Sequence, residues 1–446
     1  MRNSIVLGLA IFGTAACGGT LLDDASRAGA SGGSAGAASA LVNAGGPSLG
    51  GASAGGMGGA APNGGDASSA TTNALDPSFG ESGFARIVEP VESVSRVFVD
   101  LALDSEGGVF VLGTNDDGIV LFHLNADGAL DAAFGRAGFV FGESHEEGAG
   151  LALDPKGNLL LVGSYAGQAM IRRFTATGEP DPSFGMMGRT LFSWDGDNRF
   201  FKVLVKSDGS LVAMGKLAAN WGLLLGLMDK DGVPVPGVGL EPEFGTPGVV
   251  TVNVANLHLV GADLVEQAAG AILLLGMVNE ADRTQDRPFW FQVDAQGLPD
   301  SSFRRYPTPG FVDVPIQSSS VLAVTTDAGG AVTGWASNGN QLLAFDQYGT
   351  ATAFSSSPVI EVNSVAVDRA GRVVAVGSKG VEGRSAAALA RFQPTGALDT
   401  SLTPTGILIW YPGDYSSFSR VRVLPDGRVL AGGVASKAFV IARYLQ

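Results

Sequence analysis

Cysteine is nearly missing from this chain: there is one, Cys17, in 446 residues. That excludes an internal disulfide and any thiolate metal cluster. Histidine occurs three times, at His123, His145 and His258, without the His-x-x-His or His-Glu-x-x-His spacing of zinc sites. Charged residues make up 16%, and 28 basic against 43 acidic side chains leave a net charge of −15. So acidic a chain is not expected to bind nucleic acid, which needs Lys and Arg to displace counterions from phosphate. Within residues 74–446, Gly-x-Ser-x-Gly elbows, phosphate loops and dinucleotide fingerprints are absent too. No catalytic residue, cofactor or metal is therefore assigned.

What the chain has is glycine, 66 residues of it, within a composition that is 45% hydrophobic. Abundant Gly, Val and Leu with scarce Lys and Glu suit strands and tight turns better than helices. One phrase recurs from Leu75 onward. Its clearest form is Asn125-Ala-Asp-Gly-Ala-Leu-Asp-Ala-Ala-Phe-Gly135, echoed at Leu75-Asp-Pro-Ser-Phe-Gly80 and Asp181-Pro-Ser-Phe-Gly185. Seven units of about fifty residues follow one grammar, and a unit that cannot bury its own apolar face must stack on its neighbours.

Within a unit, a first run ends in a turn glycine (Gly107, Gly157, Gly209, Gly270, Gly329, Gly371, Gly427) and a second glycine follows six residues on. The fifth unit departs, with Trp335 at the second place. Both glycines are expected at strand reversals, where positive φ is wanted. Third-run turns fall at Gly128, Gly178, Gly232, Gly297, Gly349 and Gly396. The sixth unit reads as strands at 364–368, 372–376 and 387–392, with a fourth at 406–410. Four short strands per unit, repeated around a ring, give an all-β seven-bladed β-propeller of four-stranded blades over residues 74–446. The last unit lacks a fourth strand, and 84–88 is a spare one. Pairing 84–88 with 438–444 would close the ring and hide both edges.

Leu-Asp-x-x-Phe-Gly, then Leu424-Pro-Asp-Gly-Arg-Val-Leu-Ala-Gly-Gly433, Ala390-Arg-Phe392 and Ala442-Arg-Tyr444, resemble the delta-60 repeat family of bacterial β-propellers. The resemblance spans about residues 75–446 and weakens in units four and five. It implies the fold and carries no general activity.

The amino terminus has a different address. Arg2 precedes the apolar run Ile5–Phe12, and Thr14-Ala-Ala-Cys17 follows. A positive start, a short apolar stretch and small residues describe a secretory signal, here 1–16, which is too short to span a bilayer. Thr14–Cys17 resembles the lipobox of bacterial lipoproteins, with Thr14 where Leu is commoner. The resemblance implies lipidation at Cys17, an anchor in the membrane of the cell envelope and, through Gly18, the outer membrane. Residues 17–73, nearly all Gly, Ala and Ser, read as a disordered tether spanning roughly 40 Å.

Other constellations have plain readings. Phe79, Phe134, Phe184, Phe244, Phe303 and Phe354 are expected to pack between blades. Asp131, Asp181, Asp300 and Asp399 are expected to brace turns. Asp195-Gly-Asp-Asn198 and Asn115-Asp-Asp-Gly118 suggest calcium, but Lys206 stands where a calcium loop counted from Asp195 requires Glu. His145-Glu-Glu147 reads as a solvated acidic turn, and Trp194, Trp221, Trp290, Trp335 and Trp410 read as core or rim.

The function expected is that of a monomeric, lipid-anchored binding or scaffold module for a protein or glycan. The alternatives are an envelope hydrolase or lyase at the channel mouth and a purely structural surface protein. Inward-facing Asp, Glu, His or Arg sharing a cavity at one mouth would favour the enzyme.

Overall fold

In blades one, two, five and six, the turn from the first to the second strand is built on a side chain that copies a peptide carbonyl. Asp154 Oδ1 accepts the amides of Lys156 and Asn158, both at 2.9 Å, while Gly157 N–H donates to the Asp154 carbonyl at 2.9 Å. Gly157 closes the turn at φ +82°, a region that costs a residue with a Cβ about 1–2 kcal/mol. The same carboxylate device recurs at Asp104 and Asp368, and at Asp294 and Asp346 in third-strand turns. Turn spacing thereby sets strand length.

The computed structural model describes residues 74–445, except 91–92, 94, 194–195, 218–221, 237–247, 253–256, 281–285, 304–309, 317, 319, 328–329, 339–340, 356–359, 382 and 412–414. Cys17, the signal 1–16 and the tether 17–73 lie outside the described residues. Blade one comprises Arg96–Leu103, Val109–Asn115, Gly118–Leu124 and Phe139–Phe141; blade two comprises Glu146–Leu153, Leu159–Tyr165, Gln168–Phe174 and Arg189–Phe192. Blade three is Arg199–Val205, Leu211–Lys216, Leu223–Met228 and Val249–Val252; blade four is Leu257–Glu266, Ile272–Glu280, Arg287–Val293 and Phe311–Asp313. Blade five is Ser320–Thr326, Val332–Ser337, Leu342–Asp346 and Ala351–Ala353; blade six is Glu361–Val367, Val373–Val381, Arg384–Phe392 and Ile407–Trp410. Blade seven takes Ser416–Val423, Val429–Ala435 and Ala438–Tyr444 from the carboxyl end and Phe84–Ile87 from the amino end.

The first strands touch in succession from blade one to blade seven and back to blade one. The protein is thus an all-β, seven-bladed propeller whose first strands line a central channel. Closure follows the expected pairing: Phe84 faces Ala442, Ala85 faces Ile441, Arg86 faces Val440 and Ile87 faces Phe439. The amino-terminal strand ends at Ile87, one residue short of expectation, and Val88 is exposed.

The second glycines are not at reversals. Gly113, Gly163, Gly215, Gly276, Gly377 and Gly433 lie inside second strands, opposite a bulge in the first strand. In blade two, Gly148 faces Gly163 and Gly150 faces Val162, so Ala149 is the extra residue. The bulge drives a carbonyl towards the glycine: a Cβ on Gly163 would stand 1.7 Å from the Glu147 oxygen, and one on Gly377 would stand 1.7 Å from the Glu361 oxygen. Close approach, not positive φ, demands glycine there. In blade five, Gly330 holds the turn at φ +84°, and Gly329 lies outside the described residues. Six residues on stands Ala336, not Trp335, with Val321 facing Ala336 and Ala323 facing Trp335 across the bulge.

The recurring phenylalanines pack between blades as expected. Phe79, Phe134 and Phe184 are fully buried. Phe134 lies against the turn glycine Gly178 of blade two, and the adjacent Gly135 N–H donates to Thr177 O at 2.7 Å. Phe303 and Phe354 are half-buried, and Phe244 lies outside the described residues. Trp290 and Trp335 are core residues whose ring N–H groups donate to Asp346 O and Thr325 Oγ1, each at 2.8 Å. Trp410 stacks on Phe84 with centroids 4.2 Å apart. Trp194 and Trp221 lie outside the described residues.

Candidate functional site: the channel girdle

The bulges do more than bend strands. Each places one residue at the same level of the channel wall: Asp100, Gly150, Lys202, Asp263, Ala323, Ser364 and Arg420, from blades one to seven. An innermost strand has one edge of amides without a strand partner. Three girdle side chains reach forward to cap that edge on the next blade. Asp100 Oδ2 accepts from Leu151 N–H at 3.2 Å, Asp263 Oδ2 from Val324 N–H at 2.9 Å, and Ser364 Oγ from Val421 N–H at 3.3 Å.

The cations gather around Asp100. Arg422 Nη2 donates to Asp100 Oδ1 at 3.0 Å, and Arg420 Nε stands 3.7 Å from the same oxygen. Burial alone would raise the Asp100 carboxyl, but the positive fields of Lys202, Arg422 and Arg420 and the Leu151 amide override it and hold it below the usual carboxylate range. Asp100 is therefore a fixed anion at neutral pH and is not poised to exchange a proton. Lys202 Nζ lies 3.6 Å from Asp263 Oδ1 and donates no hydrogen bond among the described residues. The side chains of Lys202, Arg420 and Arg422 remain 26, 21 and 33% exposed.

His145-Glu-Glu147 is a solvated turn only in part: His145 is exposed in the turn and Glu147 is exposed, but Glu146 is buried. Glu146 and Glu147 open the first strand of blade two, and the buried Glu146 carboxylate accepts from Arg172 Nη1 at 2.8 and 3.0 Å. Glu143 bridges Arg172 and Arg189, and Glu147 pairs with Arg199 at 2.8 Å. Partners on third and fourth strands and on the next blade could not be read from a local triplet.

A second lattice runs around the end of the third strands. Asp131, Asp181, Asp300 and Asp399 do brace turns, each Oδ1 accepting the amide two residues on. Their other oxygens take a partner eight residues back: His123 Nδ1 at 3.0 Å, Arg173 Nε at 2.8 Å, Gln292 Nε2 at 2.7 Å and Arg391 Nε at 2.7 Å. Blade three fills the equivalent places with Leu227 and Val235, packed in an apolar cluster. Blade seven makes the same latch between chain ends, Arg443 Nε to Asp76 Oδ2 at 2.8 Å. His123 Nε2 also faces Asp104 Oδ2 at 2.9 Å.

Among the described residues, no group of three or more His, Cys, Asp or Glu is placed to hold a metal. Asn115–Gly118 is a hairpin turn in which Asn115 Oδ1 accepts the Asp117 amide at 2.9 Å. Asp195 and the His258 side chain lie outside the described residues.

Residues 371–402 match a family model described as a domain of unknown function (DUF5122) beta-propeller. No curated protein matches the sequence. Among solved structures, a streptogramin B lyase matches with a TM-score of 0.50 at 10% identity, over 81% of this chain and 97% of that one. A catalytically inactive virginiamycin B lyase from Staphylococcus aureus with quinupristin matches with a TM-score of 0.50 at 9% identity, over 81% of this chain and 100% of that one. A puromycin hydrolase matches with a TM-score of 0.50 at 13% identity, over 80% of this chain and 54% of that one. At such identities the likeness is one of fold.

Proposed function

We propose that the chain is a cell-envelope lipoprotein, anchored through Cys17 to the outer membrane, whose ring of delta-60 type repeats recognises a protein or glycan without transforming it. One observation carries the non-enzymatic half of this reading. The channel carboxylates are already spent: Asp100 and Asp263 accept backbone amides of the next blade, and Asp100 is held ionised. General acid–base catalysis needs a group whose pKa lies near the working pH. The side chains with donor capacity to spare are cations, which suit recognition.

A second reading, hydrolysis or elimination at the channel, draws on the convergence of Asp100, Lys202, Arg420 and Arg422 and on a fold shared with a streptogramin B lyase and a puromycin hydrolase. One experiment separates them. The full mature protein is immobilised, charged with envelope extract, and the retained material is compared by mass with the input. Recovery of an unaltered protein or glycan supports recognition, and release of a cleaved product refutes it. Mass measurement of the mature amino terminus tests the anchor, which an unmodified Cys17 or cleavage elsewhere would reject.

A further inference from the structure

The recognition reading leaves the ligand's chemistry open, and the girdle narrows it. We propose that Lys202, Arg420 and Arg422 form a site in the central channel for a compact oxyanion, the carboxylate or phosphate group of the recognised ligand.

Donor accounting is the first support. Asp100 and Asp263 receive their own and the next blade's amides, so part of their acceptor capacity is taken by the backbone. Arg420 gives Nη1 to Ser419 O and Arg422 gives Nη1 to Val421 O, both at 3.0 Å. Arg422 Nη2 goes to Asp100. Among the described residues Arg420 Nη2, Arg422 Nε and the Lys202 ammonium have no hydrogen-bond acceptor. A guanidinium with spare N–H groups matches the planar oxygens of carboxylate or phosphate.

Charge points the same way. The girdle and Arg422 together set three cations against two carboxylates in a chain whose net charge is −15. The outer acidity is largely screened beyond roughly 8 Å at physiological salt, whereas a channel with low-dielectric walls focuses the local positive field. Two of the seven girdle places are closed: the Phe201 carbonyl stands 2.6 Å from where a Cβ on Gly150 would lie, and Ala323 is buried. The equivalents of Arg422 in blades one, two and six are Ala102, Ala152 and Ala366. A small anion therefore meets spare donors, with short, half-buried alanines at the level of Arg422.

The test is calorimetric titration of the full mature protein with inorganic phosphate and, separately, citrate, at ionic strength matched with sodium chloride. Saturable one-site binding of either ion is expected, and which ion binds distinguishes a phosphate ligand from a carboxylate one. Lys202→Met, which removes an ammonium that makes no hydrogen bond, is expected to weaken binding at least tenfold with an unchanged circular dichroism spectrum. Arg422→Met is expected to weaken it too, but it also unpairs Asp100, so the Lys202 variant decides. Neither ion binding above chloride, or equal affinity in Lys202→Met, overturns the proposal. If the anions fail while an envelope ligand is still retained unaltered, recognition stands and only this site falls. If they bind while the ligand returns cleaved, the reverse holds.

Discussion

Removing the carboxylate of Asp76 should loosen the ring at one defined place. Asp76 Oδ2 accepts Arg443 Nε at 2.8 Å and Arg428 Nη1 at 2.7 Å, while Oδ1 accepts the amide and hydroxyl of Ser78 at 3.0 and 2.6 Å. The Asp76 and Arg443 side chains are 5 and 4% exposed, and the guanidinium lies 4.5 Å from the centroid of Phe79. Deleting one partner of such a pair leaves an uncompensated buried charge, at a cost of about 3–5 kcal/mol. Arg428 is a third exposed, so its share is at most about 1 kcal/mol. Asp76→Ala is thus expected to lose about 3–5 kcal/mol in urea unfolding, followed by tryptophan fluorescence. Trp410, stacked on Phe84, reports on the closing strand directly. Adding Arg443→Met should recover much of the loss, because an apolar pair carries no stranded charge. Asp399→Ala is the control: Arg391 and Asp399 form the same buried latch, 5 and 1% exposed, within one continuous stretch of chain. It should cost a similar amount but leave amide exchange at 84–87 and 438–444 unaltered, whereas Asp76→Ala should speed exchange there first. A loss below 1 kcal/mol, or uniformly faster exchange in Asp76→Ala, would refute the reasoning.

Three further outcomes are expected. Gly377→Ala should cost about 2–3 kcal/mol in thermal or urea unfolding, because its Cβ meets the Glu361 carbonyl at 1.7 Å; Gly157→Ala, with open space but positive φ, should cost only about 1 kcal/mol. His123 sits between two carboxylates with one nitrogen towards each, whereas blades two, six and seven use Arg, a fork of five donors, at the same place. His123→Arg should therefore raise the urea unfolding midpoint, and a lowered midpoint would count against the latch. Hydrogen bonds and neighbouring cations hold Asp76, Asp131, Asp181 and Asp399 below the usual carboxylate range. Their stabilisation is complete above the unfolded value of about 4 and is lost as pH falls through the folded values. Urea midpoints should then hold steady from pH 7 to 5 and decline below 4; a midpoint that climbs from pH 5 to 3 would contradict the assignment.

Much of the ring was legible because its information is local and repeated. Turn carboxylates, turn glycines and the Phe-Gly corner recur at fixed offsets, and the spare strand at Phe84–Ile87 has one vacant place to fill. The bulge glycines were misread because close approach and positive φ leave the same residue in the sequence. One extra residue in each first strand also changes which side chains meet the channel, so Asp100, Lys202 and Arg420 do not follow from simple alternation. Asp100 and Arg422 are 322 positions apart, beyond any pattern within a unit. The latches repeat at a spacing of eight but change chemistry, from His123 to Arg173 to Gln292 to the Leu227 and Val235 pair, which hides the common position.

Closure of the ring by its two chain ends is best tested by a covalent bond across that seam. Ala85→Cys and Ile441→Cys, made together in a Cys17→Ser background, place two thiols on residues that face each other and are both buried. Mild oxidation of the folded protein should give a single intramolecular disulfide, seen as faster migration on non-reducing gels and a raised unfolding midpoint. A protein that keeps both thiols free under oxidation, or links only between molecules, would contradict the closed seven-bladed ring.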